Sequence, residues 1–222
     1  MSTITGITPS AKREGRFDLD VDGRVVATLS LDAIERLHLV VGSAFDDMRA
    51  EAVEREAAAQ RTMDRALNML AFRARSVREL RRALVRKGEP EATTNAAIDR
   101  LSALGLLDDR VYARGYIRAK VTGAGFSRRR LRGELARRGV AAEIIQAAIE
   151  QVFAEESVDE HALIERVALK KCRSLSNLDP ATRRRRLYGY LARRGYELDD
   201  IRQVMARVLA ERDDGERGWD GT

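Results

Sequence analysis

SVRELRRALVRKG (76–88), SRRRLRGELARRG (127–139) and RRRRLYGYLARRG (183–195) are three versions of one segment. Aligned on the final glycine, each has a leucine four residues earlier (Leu84, Leu135, Leu191) and another eight residues earlier (Leu80, Leu131, Leu187). Apolar residues four apart share one helical face. Each segment ends in a basic pair, Arg86-Lys87, Arg137-Arg138 or Arg193-Arg194, which opposes the negative end of the helix dipole. Gly88, Gly139 and Gly195 then stand where a left-handed residue closes a helix. Ten residues beyond each glycine lie Ile98, Ile149 and Met205, and thirteen beyond lie Leu101, Val152 and Val208. The glycines are 51 and 56 residues apart, and repetition on that scale means stacked supersecondary units.

An amphipathic run precedes each segment, at 62–74, 109–122 and 159–172, and another follows, at 91–104, 141–154 and 197–210. Each unit is therefore predicted to hold three helices. Ser76 and Glu79 have capping-box spacing, and Pro90 and Pro180 stand at helix starts. A unit of about 50 residues has a thin core, so neighbours should share buried surface. The expected fold is mainly α, with tandem three-helix repeats in an elongated curved array. The repeats are placed at 62–107, 108–156 and 157–212, followed by a disordered tail over 213–222 that holds Trp219.

The amino-terminal part reads differently. Phe17, Leu19 and Val21 alternate with polar residues, Asp22-Gly23 signals a tight turn, and residues 24–29 return as a second β-prone run. Residues 3–8 can add a third strand. We expect a small β-hairpin module over 1–45, in which Asp32 caps a short helix carrying Ile34 and Leu37. Asp46 then caps a long helix through residue 73, whose 46–61 portion links the module to the first repeat.

Composition narrows the function. The chain has 222 residues, of which 44% are hydrophobic, 34% charged and 5% aromatic, a helix-rich and heavily solvated profile. The net charge of +6 conceals a gradient: residues 1–60 carry 7 basic and 11 acidic groups, residues 61–140 carry 20 and 8, and residues 141–222 carry 14 and 16. No apolar run reaches membrane-spanning length, and MSTITGITPS lacks the regions of a signal peptide, so a cytoplasmic protein is expected. Cys172 is the single cysteine and His38 and His161 the only histidines, which leaves neither a disulfide framework nor a metal cluster. Phosphate-binding, nucleophile-elbow and metalloprotease motifs are absent, so no enzyme and no cofactor is expected.

Arginine density instead favours an anionic partner. The candidate contacts are Arg81, Arg82, Arg86 and Lys87 in the first unit; Arg128, Arg129, Arg130, Arg132, Arg137 and Arg138 in the second; and Arg183, Arg184, Arg185, Arg186, Arg193 and Arg194 in the third. A helix turns 100° per residue, so they cannot all face one partner. They read equally as the wet faces of amphipathic helices. Tyr112 and Tyr116 are four apart and suit either helix packing or stacking on bases.

ALNMLAFRARSVRELRRALVRKG (66–88), LSALGLLDDRVYARGYIRAK (101–120) and GFSRRRLRGELARRGV (125–140), with the helix running on to Phe153, resemble the RecX family of bacterial regulators of the RecA recombinase. Within them, Arg75-Ser76, Glu79-Leu80, Lys87-Gly88, Leu107-Asp108-Asp109 and Tyr112-Ala113 fall on the family pattern, while the third repeat matches more loosely. The resemblance implies a binding protein of homologous recombination, DNA repair and the SOS response. Such a protein docks in the groove of the RecA filament on single-stranded DNA and hinders strand exchange and ATP hydrolysis. It implies RecA, or its filament, as partner, with single- or double-stranded DNA as a further one. We expect no membrane partner and a monomer. Two other readings stay open: a direct DNA-binding regulator using basic helical repeats, and a solenoid scaffold for another partner.

Overall fold

The structure, a computed structural model, describes residues 2–11 and 13–217, with side-chain environments through Ala210. It opens on four strands, β1 (Ser2–Pro9), β2 (Arg16–Val21), β3 (Arg24–Ser30) and β4 (Ala44–Phe45), in the antiparallel order β3-β2-β1-β4. Asp22 and Gly23, at φ +50° and +75°, make the two-residue turn between β2 and β3. The two-residue β4, which sequence patterning does not reveal, pairs with the start of β1. The short helix α1 (Leu31–Arg36) begins two residues earlier than predicted: Ser30 is its cap, accepting a hydrogen bond from Ala33 N at 3.2 Å. Asp32 lies inside the first turn and pairs with Arg36 instead. Ser30 prevails because it ends β3 in the extended conformation an N-cap requires.

Helix α2 (Asp47–Phe72) is capped by Asp46, which accepts from Arg49 N at 2.8 Å. At 1.5 Å per residue it is about 40 Å long. Val53 and Ala57 on its first half close the core of Ile4, Leu19, Val21, Leu29 and Ile34. That cover is needed because a small sheet alone is only marginally stable. The second half of α2 packs on α4 (Glu91–Ala103), with α3 (Val77–Arg86) between them in sequence.

The second and third helical groups are α5 (Asp109–Ala124), α6 (Arg128–Arg137) and α7 (Ala142–Glu155), then α8 (Glu160–Arg173), α9 (Pro180–Arg193) and α10 (Leu198–Arg217). All twelve apolar positions picked out by the glycine alignment are buried. Gly88, Gly139 and Gly195 have φ of +83°, +84° and +86°, the left-handed closure expected. Cys172 is buried on α8. Asp179 caps α9 with Pro180 in its first turn; the hydrogen bond from Thr182 N holds the Asp179 carboxyl below its ordinary pKa.

The chain divides into two compact units, one of Met1–Arg75 and Glu79–Leu107, the other of Ser76–Arg78 and Asp108–Thr222. The predicted tail is partly corrected: α10 continues to Arg217, past the expected end at residue 212. The segment 210–217 has no proline, and its Ala, Glu and Arg residues carry the helix through Gly215. Trp219 lies outside the described residues. No described helix is long and apolar enough to cross a membrane.

Candidate partner-binding surface

Much of the second unit's basic character holds one repeat to the next. Ser127 caps α6 by accepting from Arg130 N at 3.3 Å, and its hydroxyl donates to Gly195 O at 2.6 Å. Its own N–H donates to Arg194 O at 3.1 Å. Arg128 N donates to Glu160 Oε1 at 3.0 Å, while the Arg128 guanidinium pairs with the same carboxylate and lies 4.1 Å over the Phe153 ring. Arg129 Nε donates to Gly195 O at 3.1 Å. In the reverse direction, Arg194 Nε donates to Ala124 O at 2.6 Å and the buried Tyr196 hydroxyl donates to Gly125 O at 3.0 Å.

This joint explains why Gly195 is more than a helix cap. A Cβ on it would lie 2.7 Å from Arg130 Cβ and 2.9 Å from Arg130 N, so the α6 backbone leaves no room for one. The pattern recurs within the second unit at Ser76–Arg78. Ser76 Oγ donates to Arg138 O at 2.6 Å, Val77 N donates to Asp109 Oδ1 at 2.9 Å, and a Cβ on Gly139 would meet Arg78 Cβ at 2.6 Å. Gly88, by contrast, has nothing within 4 Å of its Cβ position. The joint serines carry a signal in the sequence: both stand twelve residues before a repeat glycine, where the third repeat has Arg183.

The sixteen candidate cations therefore separate by environment. Arg128, Arg129 and Arg130 are engaged at the joint, Arg130 also pairing with Glu134. Arg132 reaches Gln146 at 3.2 Å, Arg137 pairs with Glu134 at 2.8 Å, and Arg138 donates to the Tyr112 hydroxyl at 3.3 Å and lies 4.8 Å over Tyr116. Tyr112 is buried in the second repeat's core and Tyr116 packs against it, which settles the pair as packing residues. Arg81 bonds Asn95, and Arg183 is buried with Nη2 donating to Leu178 O at 3.1 Å. Arg194 lies 3.5 Å over the Tyr190 ring. The remainder face solvent. Arg82, Arg86 and Lys87 on the first repeat, and Arg184, Arg185, Arg186 and Arg193 on α9, are exposed and form no ion pair among the described residues.

Burial pushes the Tyr196 phenol above its ordinary pKa of 10.0, with the Glu160 carboxylate adding to the effect. A raised pKa in the folded state means stability that is present below pH 10 and lost as pH rises beyond it. Alkaline titration of the unfolding free energy should accordingly fall less steeply for Tyr196→Phe than for the wild type. Identical slopes would show that the hydroxyl is not held neutral at the joint.

Among the described residues, no group of three or more His, Cys, Asp or Glu side chains gathers as a metal site. What the exposed helix faces offer is cationic contact.

The comparisons with known proteins agree with this organisation. Family models of RecX match in three places: the first three-helix domain at residues 63–101, the second at 108–149 and the third at 159–205. Regulatory protein RecX of Amycolatopsis mediterranei (strain U-32) is 37% identical over 144 residues, 65% of this chain and 81% of that protein. The protein of the same name from Mycolicibacterium vanbaalenii is 34% identical over 164 residues, 72% of this chain and 89% of that one. In fold, a crystal structure of a regulatory protein RecX superposes with a TM-score of 0.71 at 21% identity, covering 93% of this chain and 100% of that chain. One from Lactobacillus salivarius gives 0.54 at 18% identity, covering 69% and 97%.

Proposed function

This chain belongs to the RecX family of regulatory proteins, and from that membership we propose that it binds the RecA recombinase in its filament on single-stranded DNA and restrains ATP hydrolysis and strand exchange. It acts in the cytoplasm as a monomer and by contact, without chemistry of its own. The observation that supports this most strongly is the set of exposed arginines on α9, Arg184, Arg185, Arg186 and Arg193, which find no carboxylate among the described residues. Unpaired guanidiniums keep their full capacity to bind carboxylates or phosphates bidentately, and they speed encounter with an anionic partner. Tandem units suit a target that itself repeats, because each unit can present similar chemistry to a successive subunit.

The test is a titration of the protein into RecA filaments hydrolysing ATP on single-stranded DNA. Hydrolysis should slow at substoichiometric to near-stoichiometric ratios. A rate that stays unchanged across a broad titration refutes the proposal.

A further inference from the structure

Positions ten, six and two before each repeat glycine form one stripe along the middle helix, since residues four apart lie on one face. The stripe reads Arg78, Arg82 and Arg86 on α3, Arg129, Gly133 and Arg137 on α6, and Arg185, Gly189 and Arg193 on α9. On α6 and α9 it runs along the side away from the buried pairs Leu131/Leu135 and Leu187/Leu191. We propose that the arginine-flanked glycines, foremost Gly189 between Arg185 and Arg193 and then Gly133 between Arg129 and Arg137, seat the phosphodiester backbone of single-stranded nucleic acid against the bare helix.

Nothing inside the chain explains these two glycines. Both lie within helices, neither has a positive φ, and neither ends its helix. Glycine is the least favourable helix-interior residue apart from proline. It persists where a backbone must be approached closely, as Gly195 is approached by α6. At Gly133, however, an added Cβ would meet nothing within 4 Å. At Gly189 it would meet only the flexible end of Arg193, 3.3 Å away. Gly115 and Gly123 on α5 are equally open, but only at Gly133 and Gly189 does the bare backbone lie between two arginines, one turn away on either side of the same outer face.

The chemistry of the stripe selects the molecule that approaches it. Mid-helix N–H groups are already bonded within the helix, so the glycine supplies room and the guanidiniums supply the donors. Two arginines eight residues apart lie about 12 Å apart along the axis, with a strip of bare backbone between them. A slender chain with anionic groups at regular intervals fits such a seat, and guanidinium forks match phosphate geometry. The same stripe recurs on successive repeats, which suits a polymer of identical charges better than a folded protein of varied surface. Tyr188, 44% exposed on α9 beside this stripe, offers a ring on which a base can stack. The α9 seat leads because Arg185 and Arg193 form no ion pair among the described residues, whereas Arg129 and Arg137 pair with Glu197 and Glu134.

This inference rests on the recombinase reading only in placing a single strand within reach, and its test uses DNA alone. Binding of the full chain to a fluorescent oligothymidylate of about 20 nucleotides is followed by anisotropy across a salt series. The wild type should bind with an affinity that falls as salt rises. Arg185→Gln with Arg193→Gln should reduce the slope of log affinity against log salt by about 1.4, the value for two phosphate contacts on a single strand. Gly189→Gln changes no charge and improves helix propensity, so its melting temperature should hold or rise while affinity falls about tenfold. An unaltered affinity in Gly189→Gln, or no oligonucleotide binding by the wild type at low salt, overturns the proposal. If the variants bind DNA normally but no longer slow RecA, the stripe touches protein and the phosphodiester assignment fails alone. If the variants lose DNA binding as predicted while the wild-type protein leaves RecA unaffected, the recombinase reading fails alone.

Discussion

Gly195→Ala is expected to lower the stability of the chain by about 3–5 kcal/mol, whereas Gly88→Ala costs only about 1–2 kcal/mol. The two glycines end equivalent helices with nearly equal φ, +86° and +83°, so the left-handed strain of a side chain is common to both. What differs is the neighbour. At Gly88 the added methyl enters open space, while at Gly195 it strikes Arg130 N and Cβ and the Ser127 hydroxyl. Relieving that clash moves α6 away from the third repeat. The 2.6 Å bond from Ser127 to Gly195 O and the shared Arg129 contact are then disturbed together. Urea unfolding of the two variants in parallel measures the difference. Equal losses would mean that the joint tolerates separation and that Gly195 is a cap like Gly88.

The second large effect separates two arginine triplets that look alike in sequence. Replacing Arg128, Arg129 and Arg130 with serine should destabilise the chain by about 2 kcal/mol, since partly exposed ion pairs contribute little and the cation–π and backbone contacts add modestly. Replacing Arg184, Arg185 and Arg186 with serine should change stability by no more than about 0.5 kcal/mol, because these side chains touch nothing that holds the fold. The order reverses for function. The α9 triplet should shift the inhibition of RecA ATP hydrolysis to at least about tenfold higher protein concentration, as expected when several contact arginines are lost. The measurement pairs an unfolding curve with an inhibition curve for each variant. Full inhibition by the α9 variant would return Arg184, Arg185 and Arg186 to the role of solvated surface.

The repeat was readable because its determinants are local. Leu84, Leu135 and Leu191 report a buried face through spacing alone, and Gly88, Gly139 and Gly195 report helix ends through backbone conformation. The roles of the arginines were not readable, for a physical reason. Arg129 and Arg185 occupy the same position in their repeats, yet one finds Gly195 O and Glu197 across the joint and the other finds solvent. A residue's partner 66 positions away leaves no periodic trace. The same limit hid β4, whose two residues pair only because the chain returns to β1. It also misassigned the α1 cap, where Ser30 and Asp32 are equally good capping residues and only the end of β3 decides between them. Where Tyr116 sits was undecidable from spacing, and packing against the second repeat's core resolves it.

The most direct test of the central claim is a density map of RecA filaments on single-stranded DNA, formed with ATP and incubated with the full chain. The account predicts ordered density for the three-helix repeats along the filament, with the exposed face of α9 turned toward RecA or the bound strand. Filaments that carry no such density at saturating protein, or that bind the chain with the α9 arginines facing bulk solvent, would contradict it.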